Sequence, residues 1–136
     1  MSKSLNNAIF LSDSDDDIKK KVMSMYTDPK RLKPTDKGTT ENNPLWIFHD
    51  TFNKDKVWVE EAKERYRSGT IGDVECKKKL IDVLVEIITP MRLRREEYAK
   101  DPHFVKQVLE KGTAKANATA NATLLLAKEA MRQRYF

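Results

Sequence analysis

The apolar residues of this chain fall mostly at helical spacing, and each run is bounded by helix caps or breakers. In "DSDDDIKKKVMSMYTD", Ser14 and the early aspartates suit the positive end of a helix, and Lys19, Lys20 and Lys21 come after them. Ile18, Val22, Met25 and Tyr26 then share a face, and Asp28-Pro29 stops the run. Residues 28–42 form a long polar loop with two prolines and a glycine. Loops of that length inside a domain are often mobile or functional. "NPLWIFHDTF" predicts a short, mostly buried helix, with Asn43 as N-cap and Pro44 at the first position. "DKVWVEEAKERYRSG" predicts a third, with Val57, Ala62 and Tyr66 inward and Gly69 at its end.

Residues 73–99 read as the longest helix, with Cys76, Leu80, Val83, Leu84, Ile87, Ile88 and Met91 at i, i+3, i+4 spacing. Pro90 inside it predicts a kink. In "DPHFVKQVLEKG", Asp101 caps, Pro102 takes the first turn and Gly112 ends the helix. A last, Ala-rich helix begins after it, with small side chains on several faces. Residues 8–11 form a short extended segment. Without strand–helix alternation, the pattern predicts an all-α helical bundle of about five to six helices.

Composition narrows the chemistry. The 136 residues suffice for a domain with a core, and 35% of them are charged. No run is long and apolar enough to span a membrane. The single cysteine, Cys76, excludes an internal disulfide and suits a reducing cytoplasm. It lies on an apolar helix face, as a structural thiol does. His49 and His103 are too scattered to form a zinc site with it. The N-x-T sequences at Asn117 and Asn121 lie in a helical stretch, not in a loop of a secreted protein. The glycines Gly38, Gly69, Gly72 and Gly112 form no phosphate loop. Asp82 and Glu86, one turn beyond Lys78 and Lys79, read as a solvated face rather than a catalytic pair. The net charge is +5, with acids gathered at Asp13, Asp15, Asp16 and Asp17 and bases concentrated after residue 76. That balance suits a polyanion such as RNA, or simply a solvated helix face.

The opening "MSKS" resembles the last four residues of the Lys-Met-Ser-Lys-Ser signature of class I aminoacyl-tRNA synthetases. "MSKSLNNAIFLSDSDDDIKKKVMSMYTD" is similar to the segment after that signature in tryptophanyl-tRNA synthetases. "NNPLWIFHDTF" resembles the family's Gly-Asn-Pro segment, with Asn42 in place of glycine. "GDVECKKKLIDVLVEIITPMRLRREEY" resembles its Gly-x-x-x-Cys-Lys helix and Pro-x-Arg-x-Arg-Arg stretch, and the last residues resemble its terminal helix. The resemblance runs in order along essentially the whole chain. It covers only the C-terminal part of such an enzyme, so the Rossmann catalytic domain is expected to be missing and Met1 to be an internal methionine of a longer parent.

The resemblance implies residues 1–12 as a remnant of the signature loop and catalytic-domain edge, and 13–136 as a helical anticodon-binding domain. It implies a parent that activates tryptophan with ATP and Mg2+ and transfers it to tRNA(Trp). Met1, Ser2, Lys3 and Ser4 would form the ATP-binding loop, with Lys3 as the catalytic cation on the leaving pyrophosphate. Arg92, Arg94 and Arg95, with Lys106, Lys111 and Lys115, are the candidate tRNA contacts. Alternatively, the arginines pair with Glu96, Glu97 and neighbouring acids and hold helices together. No metal site, no DNA and no membrane are expected. The parent is expected to be a cytoplasmic homodimer, and the isolated chain to be inactive and to bind no cofactor tightly. Two other readings stand beside this one. The chain could be a free-standing helical RNA-binding module. It could also be a structural fragment that associates through apolar surface at residues 8–11.

Overall fold

The computed structural model describes residues 7–28, 31, 33 and 35–133. Those residues form five helices and no strand: α1 (Asp15–Met23), α2 (Pro44–Phe52), α3 (Lys56–Ser68), α4 (Asp73–Ala99) and α5 (Pro102–Ala130). The chain divides into two compact units, Met1–Leu93 and Arg94–Phe136.

Capping chemistry sets the starts. Ser14 accepts a hydrogen bond from the Asp17 amide, Asn43 from that of Leu45, Asp55 from that of Trp58 and Asp101 from that of Phe104. α3 stops at Gly69, whose φ of 77° is left-handed. The Thr70 amide reaches back to the Arg65 carbonyl at 2.8 Å and closes the helix end. Asn42, which stands where the family pattern has glycine, also takes a left-handed φ of 56°. Asparagine is among the few residues that tolerate that conformation.

In the first unit one core draws on four helices: Ile18 and Val22 of α1, Leu45 and Trp46 of α2, Ala62 and Tyr66 of α3, and Cys76, Leu80, Leu84 and Ile88 of α4, with Ile71 between the last two. Trp46 packs edge-on against Tyr66, with ring centroids 5.2 Å apart. The described part of the 28–42 loop is anchored on this core. The Arg31 guanidinium lies 4.1 Å from the Tyr66 ring centroid and donates to Asp73 at 3.1 Å and to the Ile71 carbonyl. Gly38 passes so close under Tyr66 that a Cβ there would meet the ring at 2.1 Å.

In the second unit, the end of α4 turns at Lys100 into α5. The Tyr98 and Phe104 rings stack with centroids 5.8 Å apart.

Three expectations are corrected. Val57 is 71% exposed, and Val59 is buried instead. At about 100° per residue, position 57 lies opposite Tyr66 while position 59 lies beside it. α1 ends at Met23, so Tyr26 falls beyond it and is exposed. α5 runs through Gly112, which merges the two predicted terminal helices and makes α5, at 29 residues, longer than α4 at 27. An interior glycine costs only about 1 kcal/mol, which a helix this long absorbs.

Candidate functional site

Residues 1–4, which carry the signature resemblance and Lys3, lie outside the described residues. The described segment after them is fastened by Asp13. Its Oδ2 accepts from the Phe10 amide at 2.8 Å and from Lys21 Nζ at 2.7 Å. Lys21 Nζ also sits 4.7 Å from the Phe10 ring centroid. The Asp13 and Lys21 side chains are only 10% and 11% exposed, so this ion pair is screened far less than a surface one.

Arg92 of α4 completes the fastening. Its Nη1 donates to the Asp13 carbonyl at 2.6 Å and its Nη2 to Asp15 Oδ1 at 2.8 Å. Thr89 Oγ1 adds a 3.3 Å hydrogen bond to the same Asp15 oxygen. A candidate RNA contact is thus engaged with the protein. Its acidic partner is Asp15, not the neighbouring Glu96 or Glu97.

The other candidates are distributed. Arg94 and Arg95 are exposed in the last turns of α4, and Lys106, Lys111 and Lys115 are exposed on α5. Lys111 and Lys115 are one turn apart and share a face, while Lys106 lies about 180° from Lys115. Lys106 stands 3.8 Å from Glu110. These side chains are not gathered into one compact cleft.

Lys77 is a polar site that a sequence reading misses. It lies in the run Lys77, Lys78, Lys79, yet it is buried. Its Nζ donates to the carbonyls of Met23 at 3.1 Å and Met25 at 2.7 Å, and to Thr27 Oγ1 at 3.0 Å. It therefore satisfies the open carbonyls where α1 ends. Burial draws its pKa below the ordinary lysine value, against a smaller upward pull from Asp73. The missed signal was angular, since position 77 lies within about 20° of Leu84 and Ile88 on a helical wheel. A cleft of about 790 Å³ opens beside it, lined by Met23, Thr27, Arg31, Lys33, Asp73 and Lys77 among others. Arg31 and Lys77 spend their donors on protein groups there.

Neither His49 nor Cys76 is reactive. His49 is fully buried, and burial lowers its pKa. Its Nε2 lies 3.1 Å from the Cys76 carbonyl, which can only accept, so the proton is on Nε2 and Nδ1 accepts from Asn53 Nδ2 at 3.3 Å. Burial pushes the Cys76 thiol up to about 12, which removes the thiolate a nucleophile needs. His103 is exposed. Among the described residues no group of three or more His, Cys, Asp or Glu side chains could hold a metal ion, and no helix is long and apolar enough to cross a membrane.

The chain has clear relatives. Residues 1–89 match the family model for tRNA synthetases class I (W and Y). The chain belongs to this family. Over the whole of its length it is 49% identical to a tryptophan–tRNA ligase of Streptococcus agalactiae. Over 96% of its length it is 44% identical to one of Treponema pallidum. The fold matches 96% of the chain to a crystal structure of Campylobacter jejuni tryptophanyl-tRNA synthetase complexed with ADP and tryptophan, at a TM-score of 0.75 and 25% identity. The chain spans about 40% of the length of these proteins. The Asp13–Arg92 fastening joins α4 to the segment that follows residues 1–4.

Proposed function

We propose that the chain is the C-terminal helical part of a tryptophan–tRNA ligase. The observation that carries this reading is its match along its whole length to curated tryptophan–tRNA ligases. The whole ligase joins tryptophan to ATP, as its Mg2+ complex, and passes the tryptophanyl group to tRNA(Trp). Residues 1–12 belong to the ATP-binding loop and the edge of the catalytic part, and 13–136 to the tRNA-binding part. Lys3 stabilises the charge that develops on the leaving pyrophosphate, with Met1, Ser2 and Ser4 as its loop. Ile9 packs against the core.

Arg94 and Arg95, with Lys106, Lys111 and Lys115, meet tRNA phosphates and unstacked bases. Arg92 serves this surface indirectly, by holding α4 to the loop segment. The ligase acts in the cytoplasm as a homodimer. Without its catalytic part, the 136-residue chain makes no tryptophanyl-adenylate, so tryptophan-dependent pyrophosphate exchange by the chain alone would overturn this assignment of roles.

The deciding experiment measures binding of the purified chain to tRNA(Trp), with and without an anticodon substitution, across a salt series. Anticodon-sensitive binding, weakened by Arg94→Ala and Arg95→Ala at unchanged stability, is expected. Binding that falls steeply with salt and ignores the anticodon would reduce the surface to a basic patch.

A further inference from the structure

We infer that the hollow beside Tyr26 seats one unstacked RNA base that carries an exocyclic amine, with Tyr26 as the stacking surface and Glu41 as the acceptor that selects the amine. The inference deepens the ligase reading and rests on it for the source of that base, the tRNA anticodon.

The hollow has a volume of about 420 Å³ and is lined from the chain just past α1 and from the approach to α2. That volume is within the usual range for a ligand site. Tyr26, Glu41 and Asn42 are among its lining residues, and all three are exposed. Tyr26 is 53% exposed, yet its backbone is held on both sides. Lys77 Nζ donates to the Met25 carbonyl at 2.7 Å and to Thr27 Oγ1 at 3.0 Å. The approach to α2 is held as well. Arg67 Nε donates to Thr40 Oγ1 at 3.1 Å, and Arg67 Nη2 stands 3.5 Å from Glu41 Oε1. Asn43 accepts from the Leu45 amide as the cap of α2. Asn42, between Glu41 and that cap, takes its left-handed φ of 56°.

An exposed aromatic ring on a fixed backbone is a surface on which an unstacked base can stack, and every base has a face to offer it. Selection then falls to the edge of the base. An ionised carboxylate only accepts hydrogen bonds. The amide of Glu41 itself, then Thr40 and Arg67, hold the Glu41 pKa below the ordinary carboxylate value, so it is ionised at neutral pH. The contacts from Thr40 and Arg67 both fall on Oε1, and a carboxylate has further lone pairs to offer. Such a group accepts from the amine of cytosine, and adenine presents an amine of the same kind. Asn42 adds an amide that can donate to the ring nitrogen beside that amine. Uracil has a carbonyl oxygen in place of the amine and meets Glu41 acceptor to acceptor. The anticodon that pairs with the tryptophan codon UGG is CCA, and each of its bases carries an exocyclic amine. A base tethered in RNA also meets the hollow at a higher effective concentration than a free nucleoside does.

The test measures binding of the 136-residue chain to short oligocytidine and oligouridine RNAs, and to tRNA(Trp). The two oligonucleotides carry the same backbone charge, so attraction to a basic surface cancels from their ratio. Oligocytidine is expected to bind about 10-fold more tightly than oligouridine. Tyr26→Ala should weaken oligocytidine binding by about 5- to 150-fold, and Tyr26→Phe, which keeps the ring, should retain it. Glu41→Gln should remove the preference for cytidine. Both residues are exposed, so the urea midpoint of each variant should stay at that of the parent chain, which separates lost binding from lost folding. Equal affinity for the two oligonucleotides overturns the inference. So does competition by free cytidine as effective as that of oligocytidine, which would assign the hollow to a nucleoside. Anticodon-sensitive binding of tRNA(Trp) that neither Tyr26→Ala nor Glu41→Gln alters would uphold the ligase reading and overturn this one. A cytidine preference that depends on Glu41, without anticodon-sensitive binding of tRNA(Trp), would uphold the base site and remove the ligase as its setting.

Discussion

α1 and α5 are helices of opposite kinds. α1 has nine residues and fully buries two, Ile18 and Val22. α5 has 29 residues and buries none. A nine-residue helix is too short to persist alone, so α1 exists because of its caps, Lys77 and the core. α5 is long and rich in alanine, so local propensity carries it. The lesson is that helical content and buried core are separate properties in this chain. Its first unit has both, and α5 has only the first.

Substitutions should expose that contrast. The largest effect is expected in the first unit, where Trp46→Ala should cost about 3–5 kcal/mol in urea unfolding. Lys77→Met keeps the apolar stem but leaves the α1 carbonyls unpaired, and should cost about 1–3 kcal/mol by the same measurement. Acid should weaken the same core through His49. Its pKa is lowered in the folded state, so both states are neutral above the ordinary value of about 6.5 and the stability is then fully present. Below that value the unfolded chain takes up the proton first. Stability should fall by up to about 1.4 kcal/mol per pH unit until the folded histidine also titrates. His49→Gln should flatten the profile between pH 7.5 and 5.5. The smallest effect is expected on α5, where Leu126→Ser in the 136-residue chain should stay within about 0.5 kcal/mol. A large loss there would mean that α5 packs within the chain, and the contrast would fail.

Much of this fold is legible from local chemistry. Ser14, the Asn43-Pro44 pair and the Asp101-Pro102 pair mark helix starts by rules that act over a few residues, and the bounds of α4 reflect its periodicity. The misreadings arise where the deciding partner is distant or absent. Gly112 reads as a stop, but nothing lies within 4 Å of a Cβ placed there and no neighbour forces the chain to turn. Arg92 reads equally as an RNA contact or a brace, because Asp15 is 77 positions away in sequence. Lys77 is hidden in a run of three lysines: its angle on α4 places it beside Leu84 and Ile88, but the carbonyls it serves lie more than 50 positions earlier. The role proposed for Lys3 rests on resemblance alone, since four residues carry little physical information by themselves.

The arrangement around Lys77 also makes the lysine run chemically uneven. Acylation needs a free, unprotonated amine that the reagent can approach. Lys78 is open to solvent, whereas Lys77 is buried and shares its protons among three oxygens. A brief pulse of an amine-reactive ester should therefore modify Lys78 and spare the residue next to it. Labelling of Lys77 would time the moment when α1 lets go of α4, which makes this amine a built-in reporter for the first step of the chain's opening.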